Sequence, residues 1–87
     1  MKRIVCDTFS RDVIARDGVC VYGLIAQDGC SGGLHAHHIK KRSQGGGDVL
    51  ENGICLCAKH HDAVHRGDVS YEQLINAIRR FYPNVGE

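Results

Sequence analysis

Leu34-His35-Ala36-His37-His38-Ile39 is followed, after Lys40-Lys41-Arg42-Ser43-Gln44-Gly45-Gly46-Gly47-Asp48, by Asn52-Gly53-Ile54-Cys55-Leu56-Cys57 and then Ala58-Lys59-His60-His61-Asp62-Ala63-Val64-His65-Arg66-Gly67. The first segment reads as a strand. Its alternation sets Leu34, Ala36 and His38 on one face and His35, His37 and Ile39 on the other. Three consecutive glycines mark a flexible surface loop rather than a helix. Asn52-Gly53 is a turn pair, and Ile54–Cys57 reads as a second short strand. From Ala58 to about Arg66 the pattern is helical, and Gly67 stops it. Strand, loop, strand and helix over about residues 34–67 make a ββα unit, and the fold class is α+β.

Flanking helices are expected on both sides. Ser10 and Gly18 fit the start and stop of a short helix near 10–17. Val19-Cys20-Val21-Tyr22-Gly23 is β-prone and reads as a short strand or knuckle, and residues 27–33 as a turn-rich loop. Ser70 and Gln73 form a capping box for a last helix over about 70–82. Its apolar face is Leu74, Ile75, Ile78 and Phe81 or Tyr82, and Pro83 ends it. With 87 residues the expectation is one domain spanning 1–87.

Eleven Lys+Arg against ten Asp+Glu leave a formal charge of +1, which excludes a strongly basic or acidic tail. No apolar run approaches the roughly 18 residues of a membrane span, and the acid at Asp7 comes too early for a secretory leader. Five aromatics and no Trp imply a thin core, and chains this small often need a disulfide or a metal. Five Cys is an odd count, so reduced or metal-bound thiols are expected rather than a disulfide framework. Cys6 and Cys55 have no spacing argument and are read as core or surface residues.

All six histidines lie between His35 and His65. Packing does not cluster one residue type in this way, so the middle third reads as a metal or catalytic site. His61 and His65, four apart on a helix, project from one face and can offer two imidazoles to one metal. His37 on the first strand can supply a third. His38 projects to the opposite side of that strand and is left for acid–base work. Three protein ligands with an open position is the catalytic arrangement of such ions. Imidazoles favour zinc or nickel for tight binding, while magnesium or manganese can support turnover.

These motifs, His37-His38-Ile39, Gly46-Gly47, Asn52 through Cys57, His60-His61-Asp62 and His65, resemble the HNH endonuclease family with its ββα-metal finger. The likeness covers roughly residues 16–67. It is closest to small phage and prophage HNH proteins and, in the helical His pair, to the DNase domains of colicins. The resemblance implies a nuclease that hydrolyses phosphodiester bonds in double-stranded DNA with a divalent metal, leaving 5′-phosphate and 3′-hydroxyl ends. By the same resemblance His38 is the general base, and Asn52 orients His38 through a bond to it or to its loop. His37, where many members place Asp, completes the metal set with His61 and His65. The implied setting is the cytoplasm of a bacterial or phage-infected cell, with phage terminase or packaging proteins as partners. A non-catalytic zinc-stabilised module binding nucleic acid or protein is the competing expectation, and an imidazole at His38 pointing away from the metal argues against it. Asn52 can also be only a turn former.

The sequence also departs from the family in its cysteines. Many relatives carry a structural zinc held by two Cys-x-x-Cys pairs, whereas here Cys20 has no thiol three residues on and His60 stands three residues after Cys57. Cys30 can replace a missing thiol, so Cys20, Cys30, Cys57 and His60 form an acceptable zinc set. The alternative is that these thiols are small buried hydrophobes. His35 is left as a surface or DNA-contacting residue. Lys40, Lys41 and Arg42 directly follow the expected base and are assigned to DNA phosphates. Between residues 35 and 67 the cations exceed the carboxylates by only two. Phosphate-driven binding with weak sequence preference is therefore expected, with nicking as the primary event.

Overall fold

The computed structural model describes residues 7–83. Cys6 and the residues before it lie outside them, as does the chain after Pro83. Among the described residues the order is α1 (Phe9–Asp17), α2 (Val21–Ala26), β1 (Leu34–His38), β2 (Gly53–Cys57), α3 (Ala58–His65) and α4 (Tyr71–Arg79). Two short 3-10 turns, Arg42–Gln44 and Leu50–Asn52, lie between the strands. The architecture is α+β, with a ββα unit flanked by helices.

β1 and β2 pair antiparallel, with His35 opposite Leu56, Ala36 opposite Cys55, His37 opposite Ile54 and His38 opposite Gly53. Strand alternation splits the core in two. Ala36 and Cys55 pack with Phe9, Val13 and Ile14 of α1. Ile54 and Leu56 pack with Val21, Val69, Leu74, Ile75 and Ile78, so α2 and α4 cover the opposite face. α1 lies so close that a Cβ on Gly53 would strike Val13 and the Phe9 ring. At the free edge of β2, Asp17 accepts from the Cys55 amide and Arg16 donates to the Gly53 carbonyl. These contacts satisfy backbone groups that a two-stranded sheet would otherwise leave unpaired.

Four local expectations need correction. The first helix starts at Phe9 with Thr8 before it, so Ser10 lies inside the helix rather than capping it. Val21–Ala26 is helical rather than extended. The β-prone side chains are overridden by a cap, since Cys20 Sγ accepts the Gly23 amide and Gln27 closes the turn in the left-handed region. The knuckle half of the reading describes Cys20 better than the strand half. The glycine loop is tightly organised: Gly46 is buried and donates to Lys41, and a Cβ there would collide with the Lys40 carbonyl. α4 stops at Arg79 instead of 82 because Arg80 and Phe81 turn to i–3 carbonyls ahead of Pro83. Tyr82, not Phe81, packs on the core. The capping box of Ser70 and Gln73 is present.

Candidate metal centres and active site

The position of His37 on the α3-facing side of β1 brings it to the imidazoles of α3. One ligand atom from each of His37, His61 and His65 lies within 4.8 Å of the others. His61 and His65, one turn apart, approach to 3.2 Å between their Nε2 atoms. His37 is more than half buried, and this burial, with the neighbouring His61 and His65 charges, pushes its pKa down to about 4. Burial lowers His61 in the same direction. These two rings are therefore neutral at pH 7, the form in which imidazole binds a metal. The donor set and its protonation fit a divalent ion. His35 lies on the same face and stacks against His61 at 5.3 Å, so it borders this centre although its side chain is exposed.

His38 points to the other face of β1. Its ring stacks on Phe9 of α1 at 4.2 Å, with the two planes 12° apart. Its Nε2 lies 2.8 Å from Asp48 Oδ1. A carboxylate only accepts at neutral pH, so this contact puts the ring proton on Nε2 and leaves the Nδ1 lone pair free. Asn52 touches the loop after His38 rather than its ring. Its Oδ1 accepts from the Lys40 amide at 2.8 Å, and its Nδ2 donates to the carbonyls of Lys40 and Gly47. The Asn52 carbonyl also accepts from the Ile39 amide. One side chain thus ties the end of β1 to the glycine loop that carries Asp48.

A second cluster sits at the N-terminus of α3. Sγ atoms of Cys20, Cys30 and Cys57 lie 3.3, 3.7 and 3.2 Å from His60 Nδ1. Backbone amides point at two of the sulfurs, Gly23 at Cys20 and His60 at Cys57. His60 Nε2 meets Asp28 Oδ1 at 2.7 Å, and this bond to His60 holds the Asp28 carboxyl below its ordinary range. Carboxylate on one ring nitrogen and metal on the other is a recurrent way to orient a histidine ligand. Lys59 fixes the same loop through the carbonyls of Asp28 and Gly29. Burial disfavours the Cys57 thiolate, but the amides of His60 and Ser31 and the other two thiols overrule it and bring it to about 6. Burial and the neighbouring thiols drive Cys30 up to about 12. The three sulfurs cannot all carry charge without a cation among them, and four soft donors this close suit a tetrahedral divalent ion such as zinc. Cys55 is outside this group, buried under α1, with its thiol raised to about 11 chiefly by that burial.

Residues 27–67 match the family model described as HNH endonuclease. This segment is an HNH domain. No curated protein and no solved structure matches the chain. The HNH segment contains β1, β2 and α3 and all six histidines. It does not complete either region by itself, since Cys20 and the Phe9 platform come from before it.

The structure brings His37, His61 and His65 together, and separately Cys20, Cys30, Cys57 and His60. Lys40, Lys41 and Arg42 are exposed beside the strand end. Asp48, Phe9 and Asp28 had no place in the sequence reading. Each reaches its histidine over at least ten residues of chain, and no periodicity marks such a contact. No described helix is long and apolar enough to cross a membrane.

Proposed function

We propose that this HNH protein is a metal-dependent endonuclease that hydrolyses phosphodiester bonds of double-stranded DNA, nicking with little sequence preference. The observation that carries the reading is His38: an imidazole on the reverse face of the strand that presents His37, anchored at Nε2 by Asp48 and, among the described residues, with no partner at Nδ1. In this reading His38 Nδ1 takes the proton of the attacking water. Asp48 stabilises the imidazolium that forms and fixes its tautomer, while Phe9 limits its rotation. Asn52 acts through the loop, setting the position of His38 relative to Asp48. A divalent ion held by His37, His61 and His65 would supply positive charge to the scissile phosphate and the departing oxygen. Lys40, Lys41 and Arg42 bind flanking phosphates, which carry no sequence information. Residues 1–87 act as one unit, with zinc on the cysteine cluster as its staple. Sequence choice, where needed, comes from a partner of the DNA-packaging class.

The test is incubation of supercoiled plasmid with the full chain, adding zinc, nickel, magnesium or manganese in turn. The wild type is expected to open the circle. His38→Ala should lower the rate by about 10²–10⁴ with metal content unchanged, while His37→Ala should lower both. A His38→Ala protein as active as wild type overturns the assignment. Metal binding without cleavage under any ion favours the binding-module reading instead.

A further inference from the structure

A cleft of about 790 Å³ opens beside the imidazole centre, with His37 on its wall. Its size falls in the range of small-molecule and nucleotide sites. The lining is of mixed character. Val64 and Leu74 supply an aliphatic floor, Tyr71 an aromatic ring, and Lys40, Lys41 and Gln44 a polar rim. Tyr71 is 51% exposed although it is the first residue of α4, whose apolar side is otherwise well covered. Together with Lys40 it also lines a smaller cavity of about 210 Å³ against the glycine loop, so two cavities meet at this residue.

We propose that this cleft is a nucleoside subsite that takes one unpaired base next to the scissile phosphate, with the base stacked on Tyr71. This rests on the nuclease reading above and names its preferred substrate: DNA carrying an unpaired or extrahelical nucleotide at the cut. A nucleobase has apolar faces and a hydrogen-bonding edge, which matches an aromatic and aliphatic floor with an amide at the rim. The two lysines are placed for the phosphates on either side. A base inside a matched duplex is stacked and paired, and reaches such a wall only by leaving the helix. That cost is smallest where the base is already unpaired. Aromatic stacking tolerates any base, so the preference is for structure and not for sequence.

The test uses the full chain with a fully paired duplex, the same duplex with one bulged nucleotide, and the single strand. Nicking is measured on the wild type, and binding on His38→Ala so that cutting is slow on the time of the measurement. The bulged duplex should be bound and nicked about tenfold better than the paired one. Tyr71→Phe should keep that ratio. Tyr71→Ala should bring it to parity while nicking of the paired duplex stays within about twofold. Equal treatment of paired and bulged duplex by the wild type overturns the subsite and leaves the nuclease reading intact. A preference that survives Tyr71→Ala overturns it as well. A Tyr71-dependent binding preference without cutting of any DNA supports the subsite and overturns the nuclease reading. Neither preference nor cutting overturns both.

Discussion

His60 and His61 are neighbours in sequence and serve different centres. His60 is buried and faces three sulfurs, with its second nitrogen held by Asp28; His61 faces His37 and His65 on a side of α3 open to solvent. His37 and His38 repeat the division on β1, one toward α3 and the other toward Phe9 and Asp48. A step of about 100° on a helix or 180° on a strand is enough to separate the members of each pair. The cysteine-rich cluster has four donors, three of them buried, with both nitrogens of its histidine engaged, a set that would close around a bound ion. The imidazole cluster has three donors, partly exposed, a set that would leave a bound ion an open position.

The largest expected effect tests that contrast through stability. Metal in a closed site is coupled to folding of a small domain. Cys57→Ser should therefore lower the thermal midpoint by more than about 15 °C, at roughly 4–8 °C per kcal/mol for a chain of this size. His65→Ala should shift it by only a few degrees while its metal content falls by one ion. Melting curves with metal analysis on both variants check this. Equal losses of stability would remove the distinction between the two centres.

What could be read from residues alone follows the same division between local and distant causes. The ββα unit and the common face of His61 and His65 depend on local periodicity, and the strand faces on alternation. The helix at Val21–Ala26 was not legible, because β-branched and aromatic side chains there yield to the Cys20 sulfur that caps Gly23 and to packing of Val21 in the core. Asp48 looked like a loop acid, since its closeness to His38 depends on the fold of the glycine loop. Gly46 shows why that loop cannot be free: the Lys40 carbonyl and Asn52 Nδ2 occupy the space a side chain would need. His35 is exposed as expected, yet its ring lies against His61. The sequence contained a reason to place it on that face and none to bring the two rings into contact.

A smaller effect separates the supports of His38. Asn52→Ala removes three hydrogen bonds and should cost about 1–3 kcal/mol in stability together with activity. Asp48→Asn keeps the shape and removes the charge. It should lower kcat about tenfold, with KM, thermal midpoint and metal content nearly unchanged. Denaturant unfolding and steady-state nicking on both variants distinguish these outcomes. An Asp48→Asn protein that loses stability as Asn52→Ala does would make Asp48 a loop fastener and not a partner of the reacting ring.

The smallest effect concerns protons at the imidazole centre once a weak chelator has emptied it and left the thiolate site loaded. His37 has its folded pKa depressed to about 4 from 6.5, by burial first and by the neighbouring imidazoles second. The unfolded chain binds a proton at this residue from about pH 6.5 downward, whereas the folded chain binds it only near pH 4. Unfolding therefore takes up a proton in that window. This contribution to stability is complete above pH 6.5 and is lost as the pH falls toward 4. His61 is shifted in the same direction and adds to the loss. The ring of His37 is partly reached by solvent, which reduces the effect to about 1 kcal/mol. Urea unfolding of the wild type between pH 7 and 4 should show this decline. His37→Gln has no such titration and should show a flatter profile over the same range. Parallel profiles would mean that His37 keeps an ordinary pKa and is not held neutral for a metal.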